Sequence, residues 1–274
     1  MKNSYILLLM LSSWLFWACQ SGQQKQQPPE QVAEENPPAE GFDLEGSDPR
    51  AMAIADEVMQ AMGGRTAWDE TRHIKWNFFG RRLLVWDKHT GNVRIEIPAQ
   101  ATTILLNIHS GEGRVKVGER ELAPQDSLQK YLERGKGIWI NDSYWLVMPF
   151  KLKDSGVTLT YAGEDTTADG RPADVLQLTF KEVGNTPENR YLVYVDKESR
   201  LVTQWTFFRN AADEKPLFTT PWSNYRQHGK ILLSGDRGQS AQGKRELTDI
   251  AVFEELPESV YTYFLPVDWA QYEQ

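Results

Sequence analysis

From His73 onward, apolar and polar residues alternate with a period of two. Ile74, Trp76 and Phe78 alternate with His73, Lys75 and Asn77, and Val93, Ile95 and Ile97 with Asn92, Arg94 and Glu96. Ile104, Leu106 and Ile108 alternate with Thr103, Asn107 and His109, although Leu105 interrupts that run. Successive side chains of a strand point to opposite faces, so each run predicts a half-buried strand. His73 and His109 fall on the polar faces, where solvent contact is expected. Asp87-Lys88-His89-Thr90-Gly91 and Ser110-Gly111-Glu112-Gly113 are turn sequences short enough for hairpins, which makes consecutive strands antiparallel. The alternation resumes at Val157, Leu159 and Tyr161, then at Leu176, Leu178 and Phe180, and at Tyr191, Val193 and Val195. Leu201, Trp205 and Phe207, then Ile231 with Leu233 and Ile250 with Val252, complete it. About ten strands with no strand-helix-strand alternation predict a mainly β fold built on one meandering antiparallel sheet.

Two segments depart from that period. At Ser47-Asp48-Pro49 a capping side chain precedes a proline suited to the first helical position. Met52, Ala55, Val58, Met59 and Met62 follow at helical spacing, and Gly63-Gly64 supplies the stop. This predicts an amphipathic helix of about 14 residues whose methionines face the core. Between Asp126 and Leu152, Leu128, Tyr131 and Leu132 predict a second helix ending at Gly135. A dense apolar cluster follows, with Trp139, Trp145, Leu146, Met148 and Phe150 around Pro149. A sheet of this size should bury one face under the two helices, which then act as a lid.

The 274 residues carry 30 Lys and Arg against 38 Asp and Glu, a formal charge of −8, which disfavours a nucleic-acid partner. Hydrophobic residues at 40% and charged residues at 25% are ordinary for a globular domain. The single cysteine, Cys19, excludes an intrachain disulfide and any multi-cysteine metal site. Ahead of it, Lys2 and the uncharged run Tyr5–Ala18 form a segment too short for a comfortable membrane span. Gln20–Asp48 holds six Gln, four Pro and seven acids with few apolar residues, too few to bury a core. The expected organisation is therefore a signal peptide over 1–18, a disordered tether over 19–47 and one β domain over 48–274.

Candidate chemistry is sparse. The four histidines, His73, His89, His109 and His228, show no metal-ligand spacing. Gly238–Lys244 (GQSAQGK) partly matches a phosphate loop, but Arg245 stands where Ser or Thr would hold magnesium, and the stretch reads as a hairpin loop between strands. Ser240 lacks the following glycine of a nucleophile elbow, and acid pairs such as Glu254-Glu255 read as solvated charge. No cofactor, metal or catalytic residue is expected, and the chain is read as a non-enzyme. A hydrolase with an unrecognised carboxylate site is the remote alternative.

Two resemblances sharpen this picture. The segment ending in Phe16-Trp17-Ala18-Cys19 resembles a bacterial lipoprotein signal peptide, although Phe16 and Trp17 are bulkier than the residues usual there. It implies an acylated Cys19 anchored in a membrane, and Gln20 in place of Asp implies the outer membrane, with the periplasmic face favoured over the cell surface. An ordinary secretory signal and an uncleaved anchor are the other readings of this segment. Asp142-Ser143-Tyr144-Trp145-Leu146-Val147-Met148-Pro149-Phe150-Lys151-Leu152 and Tyr194-Val195-Asp196-Lys197-Glu198-Ser199-Arg200-Leu201-Val202 resemble the outer-membrane lipoprotein carrier and receptor superfamily, the LolA/LolB-like fold, in its Bacteroidota lipoprotein branch. That resemblance implies an unclosed antiparallel half-barrel whose concave face, covered by helices, holds lipid or lipoprotein acyl chains. Trp139, Trp145, Leu146, Met148, Phe150, Trp205, Phe207 and Trp222 are the expected apolar ligand-binding residues. An envelope sensor with a protein partner is the alternative on the same fold.

Overall fold

The computed structural model describes residues 35–241 and 243–272; Cys19, the segment before it and the tether through residue 34 lie outside the described residues. Helices α1 (Pro49–Ala61) and α2 (Arg65–Glu70) lead into strands β1 (His73–Phe78), β2 (Arg82–Asp87), β3 (Asn92–Ile97), β4 (Thr102–Asn107), β5 (Gly113–Val117) and β6 (Arg120–Glu121). Helix α3 (Leu128–Val147) follows, then β7 (Val157–Thr166), β8 (Pro172–Phe180), β9 (Arg190–Asp196), β10 (Val202–Phe208) and β11 (Phe218–Pro221). Strands β12 (Ser223–His228), β13 (Ile231–Ser240) and β14 (Gly243–Phe253) and the short helix α4 (Ser259–Thr262) complete the chain. The architecture is mainly β, antiparallel and unclosed, as expected, but the strands divide into two sheets. One has nine strands in the order β12-β13-β14-β1-β2-β3-β4-β5-β6, and the other five in the order β11-β10-β9-β8-β7.

Helix α1 forms where its sequence predicts. Asp48 Oδ1 accepts a 2.7 Å hydrogen bond from the Arg50 N–H, and Ala51, Ile54, Ala55, Val58 and Met59 form the buried face. Gly63 ends the helix at φ +118°, where a Cβ would stand 2.5 Å from the Lys230 carbonyl oxygen. Helix α3 differs from expectation, because it runs through Gly135 to Val147. An interior glycine costs a helix about 1 kcal/mol, but here it allows close approach to β4. A Cβ at Gly135 would lie 3.0 Å from Ile104 Cγ2 and 3.2 Å from Leu106 Cδ2.

The described part of the expected tether is attached to the domain. The Ala39 N–H donates to the Lys153 carbonyl, Asp43 to Val157 and Asp48 to Leu159 at 2.8–3.0 Å, while Phe42 is buried. Residues 39–48 thereby cover the free edge of β7, which would otherwise offer unpaired backbone groups. The Asp196–Ser199 part of the second motif makes a tight turn: Asp196 Oδ1 accepts from the Ser199 N–H at 2.7 Å and from the Ser199 hydroxyl at 2.8 Å.

The polar faces of β1 and β3 are not solvated, contrary to their alternation. The segment after β14 lies over them, packing Val260 and Tyr261 on Val85. This explains the unbroken run Leu83-Leu84-Val85-Trp86 in β2, a strand that alternation misses, since Leu84 and Val85 are both buried on opposite faces. Leu105, the interruption in β4, pairs with Arg94 and is likewise buried. Arg94 donates to the Val260, Tyr263 and Leu265 carbonyls at 2.8–3.1 Å and to Glu96 at 2.6 Å. His73 is 1% exposed, with Nδ1 2.8 Å from the Tyr261 hydroxyl. His109 is exposed, as expected.

Burial lowers the His73 pKa to about 4, against the pull of Asp87, with Arg72 and His89 adding to the depression. Its folded value lies below its unfolded value of about 6.5, so the unfolded chain binds more protons between those values and stability falls as pH falls through that window. Chemical denaturation at neutral pH and at about pH 4.5 should show a loss of roughly 2 to 3 kcal/mol from this residue. His73→Asn, which places an amide near Nδ1 but cannot titrate, should remove that part of the pH dependence.

Candidate functional site

The five-stranded sheet collects its large side chains into rows. Leu159, Leu178, Tyr191, Phe207 and Phe218 stand opposite one another across β7, β8, β9, β10 and β11, and Leu176, Val193 and Trp205 form the next row. Directly paired residues share a face, so the alternation in each strand turns Tyr191 and Trp205 toward the same side. Helix α3 crosses that side. Tyr144 meets Tyr191 at 5.7 Å between ring centroids and Trp205 at 6.2 Å, while Trp145 meets Trp205 at 4.7 Å.

Helix and sheet do not close completely. Between them lies a cavity of about 300 Å³, walled on one side by Trp139, Ile140, Ser143, Tyr144 and Trp145 of α3. Val157, Phe180, Tyr191 and Trp205 of four strands form the opposite wall. The rim is polar: Lys151 pairs with Asp154, and Ser155, Asn141, Asn185 and Thr186 stand beside them. Asn185, in the loop between β8 and β9, donates to the Gly137 carbonyl at 3.0 Å and ties that loop to α3. Burial raises the Tyr144 phenol well above its ordinary pKa, with smaller effects from Tyr191 and Asp154. Burial likewise raises Tyr191, with Glu188 adding to it, so both hydroxyls stay protonated at neutral pH.

Of the residues expected to bind ligand, Trp139, Trp145 and Trp205 are brought together on this cavity. Leu146 and Met148 are each 1% exposed and belong to the core, because a helical step of one residue from Trp145 turns Leu146 to another face. Trp222 is fully buried behind Trp205, under the Arg237 guanidinium at 3.5 Å. Phe207 sits half-buried in the sheet row, 5.4 Å from Tyr191 and 5.1 Å from Phe218. Phe150 stacks on Trp68 at 4.4 Å and borders a second, smaller cavity of about 70 Å³. Tyr144, Phe180 and Tyr191 are the aromatic cavity residues that sequence reasoning passed over. Their period-two and motif positions were visible, but nothing local distinguishes a cavity wall from core.

The cavity wall carries no histidine, and the Ser143 hydroxyl turns back toward the Ile140 carbonyl at 3.5 Å. Gly238, Gln239 and Ser240 end β13 and Gly243 and Lys244 begin β14, with Ser240 opposite Gly243. Among the described residues no group of three or more His, Cys, Asp or Glu could hold a metal ion, and no helix is long and apolar enough to cross a membrane.

Two polar anchors position α3. Asp142 is fully buried and receives two hydrogen bonds from Arg82, at 2.7 and 3.0 Å, and one from Asn141 at 2.9 Å. Burial raises its carboxyl above the ordinary pKa against the pull of those partners. At the helix end, Arg237 donates to the Trp145 carbonyl at 2.6 Å and to the Ser234 hydroxyl at 2.8 Å.

No protein-family model matches the chain. The target of rapamycin complex 1 subunit KOG1 of Saccharomyces cerevisiae is 25% identical over an alignment of 109 residues that covers 34% of this chain and 6% of that protein. The chain thus spans only a small part of that relative's length. Among solved structures, a DUF1329 family protein from Desulfovibrio piger is similar at a TM-score of 0.43 and 12% identity, covering 79% of this chain and 98% of that one. A LolA superfamily protein from Nitrosomonas europaea is similar at 0.38 and 13%, covering 77% and 97%. MucB in complex with MucA(peri) is similar at 0.24 and 18%, covering 62% and 53%.

Removing one partner of a buried ion pair leaves the other uncompensated, at about 3 kcal/mol or more. Asp142→Ala should therefore lower unfolding stability by about 3 kcal/mol, and Asp142→Asn, which keeps an acceptor for Arg82, by less. Guanidinium titration of the three proteins checks the order.

Proposed function

We propose that the chain is a cell-envelope lipoprotein that holds lipid, or the acyl chains of another lipoprotein, in the cavity between α3 and the five-stranded sheet, without changing it chemically. The observation that carries this reading is the open space itself, walled by aromatic rings on both sides, with polar side chains such as Ser143, Lys151 and Asp154 also on its lining. A volume of about 300 Å³ is at the lower end of small-molecule sites. Acyl chains suit such walls because each buried methylene contributes about 0.8 kcal/mol and asks for no directional partner. Binding, not catalysis, is favoured by what stands on the walls, since the Ser143 hydroxyl of α3 turns toward the Ile140 carbonyl and no histidine is among the lining residues.

The chain's own acylation at Cys19 belongs to the same proposal, with the outer membrane and its periplasmic face as the location. Two or more acyl chains anchor a protein stably, which suits a resident receptor better than a shuttle. In the rival reading, an envelope sensor or interaction module, the cavity is incompletely filled core and the partner is a protein.

Native mass spectrometry with lipid extraction on the Cys19→Ser chain, recovered from a periplasm, should show added mass that resolves into phospholipid, fatty acid or acylated peptide. A clean unliganded mass, with no uptake of a fluorescent fatty acid, would favour the interaction module. Trp139→Ala should weaken uptake of the fluorescent fatty acid about tenfold. Phe253→Ala, which removes a ring stacked on Trp269 at the outer face, should lower stability while leaving uptake intact. For the anchor, labelled palmitate should enter the wild-type chain in cells, and Cys19→Ser should abolish both label and membrane fractionation.

A further inference from the structure

Three segments bound the mouth of the cavity, and they are held in place very unequally. The α3 side is pinned by the buried Asp142–Arg82 pair and by Arg237 on the Trp145 carbonyl. On the second side stand Lys151, Asp154 and Ser155, a stretch braced by the chain ahead of α1. There the Ala39 N–H donates to the Lys153 carbonyl at 2.9 Å, and the Gly156 N–H to the Gly41 carbonyl at 2.8 Å. The third side is the loop between β8 and β9, where Val183, Gly184, Asn185 and Thr186 line the cavity. Gly184, Asn185 and Thr186 are also exposed to solvent, so the wall here is one chain thick.

That loop is fastened at its two ends. The Lys181 N–H donates to the Gly156 carbonyl, and the Ala211 N–H to the Glu188 carbonyl, both at 2.8 Å. Over 182–187, a single hydrogen bond among the described residues joins the loop to another element, from Asn185 Nδ2 to the Gly137 carbonyl of α3 at 3.0 Å. Gly184, at φ +74° with open space where a Cβ would stand, gives the loop a pivot beside that contact. Gly137 answers to the same contact. An interior glycine weakens a helix, and no close packing demands this one, since a Cβ there would meet only the Asn185 side chain, at 3.8 and 3.9 Å. Without a side chain, the helix backbone lies open to the Asn185 amide.

We propose that the β8–β9 loop is the door of the cavity and that Asn185 on Gly137 is its latch, so that an acyl chain passes between this loop and α3 while the helix stays in place. This rests on the lipid-binding reading above and deepens it by naming the route. Water competes for both partners of an exposed amide hydrogen bond, so the latch opens without disturbing the core. Raising α3 instead would strip the buried Asp142 carboxylate of its guanidinium partner. A latch that re-forms over the empty and the filled cavity alike sets the rate of exchange and not the affinity.

The test follows cis-parinaric acid, a fatty acid whose chain is itself fluorescent, into and out of the Cys19→Ser chain by stopped flow. Asn185→Ala should raise the association and dissociation rates together, about fivefold, and leave their ratio within about twofold, as expected from one neutral hydrogen bond. Gly137→Cys combined with Asn185→Cys gives a chain with no other thiol. Its oxidised form, checked by mass, should exchange the probe more than about tenfold slower than its reduced form. Unchanged rates in Asn185→Ala would overturn the proposal while leaving lipid binding intact, whether or not the two thiols pair. So would faster dissociation alone, which would make Asn185 a ligand contact, or an oxidised double variant that exchanges as fast as the reduced one. Failure of cis-parinaric acid to bind the Cys19→Ser chain at all would overturn the lipid-binding reading and this inference with it.

Discussion

A twenty-residue helix laid between two open sheets must touch both, and α3 does so by contacts of different kinds. Near its middle, Gly135 brings the backbone onto Ile104 and Leu106 of the larger sheet, an approach that any Cβ would crowd. One turn from its end, Asp142 is held by Arg82 at the start of β2. At the end itself, the Arg237 guanidinium accompanies the last carbonyls, with Trp145 as acceptor. Burial lowers the Arg237 pKa to about 9, so it still carries its charge at neutral pH, where a cation favours the negative end of a helix. Those anchors leave the aromatic side of α3 facing the smaller sheet without being pulled fully onto it. The cavity is the space that remains.

The rest of the molecule solves the problems that two open sheets create. The edge at β7 is covered by residues 39–48, through backbone bonds to Lys153, Val157 and Leu159. The outer face of the larger sheet is covered by the segment after β14, and covering it buries side chains that are polar by pattern. Arg94 meets that demand with four hydrogen bonds to α4, the residues after it and Glu96. His73 meets it by remaining neutral beside the Tyr261 hydroxyl. The inner face stays apolar, so the polar groups that need satisfying lie away from the cavity except for the few on its walls and rim.

A cavity lined only by hydrocarbon would collapse onto itself or accept any apolar body of suitable size. Rings of tryptophan and tyrosine keep walls rigid, since they lose little conformational freedom, and they bring polar atoms with fixed positions. Tyr144, Trp139 and Trp205 keep buried donors that the protein leaves unpaired.

Helix α1, its cap at Asp48 and stop at Gly63, and the strands around Ile74, Val93, Ile104 and Tyr191 were legible because each depends on a few neighbours in sequence. The antiparallel architecture followed from the same alternation and from turn-sized gaps, while its unclosed form was implied by the resemblance and not by the pattern. Strand β2 was not legible, because both of its faces are covered and alternation vanishes when nothing faces water. Helix α3 was cut short at Gly135, since local propensity penalises glycine and only the nearness of β4 rewards it. Trp139, Trp145 and Trp205 were singled out from composition and position, but Leu146, Met148 and Trp222 carry the same chemistry and lie in the core. Sequence by itself determined which residues prefer to leave water and with what periodicity. Only tertiary structure decided which of them meet each other and which meet empty space, because that depends on the distance at which a helix is held from a sheet by contacts far away along the chain.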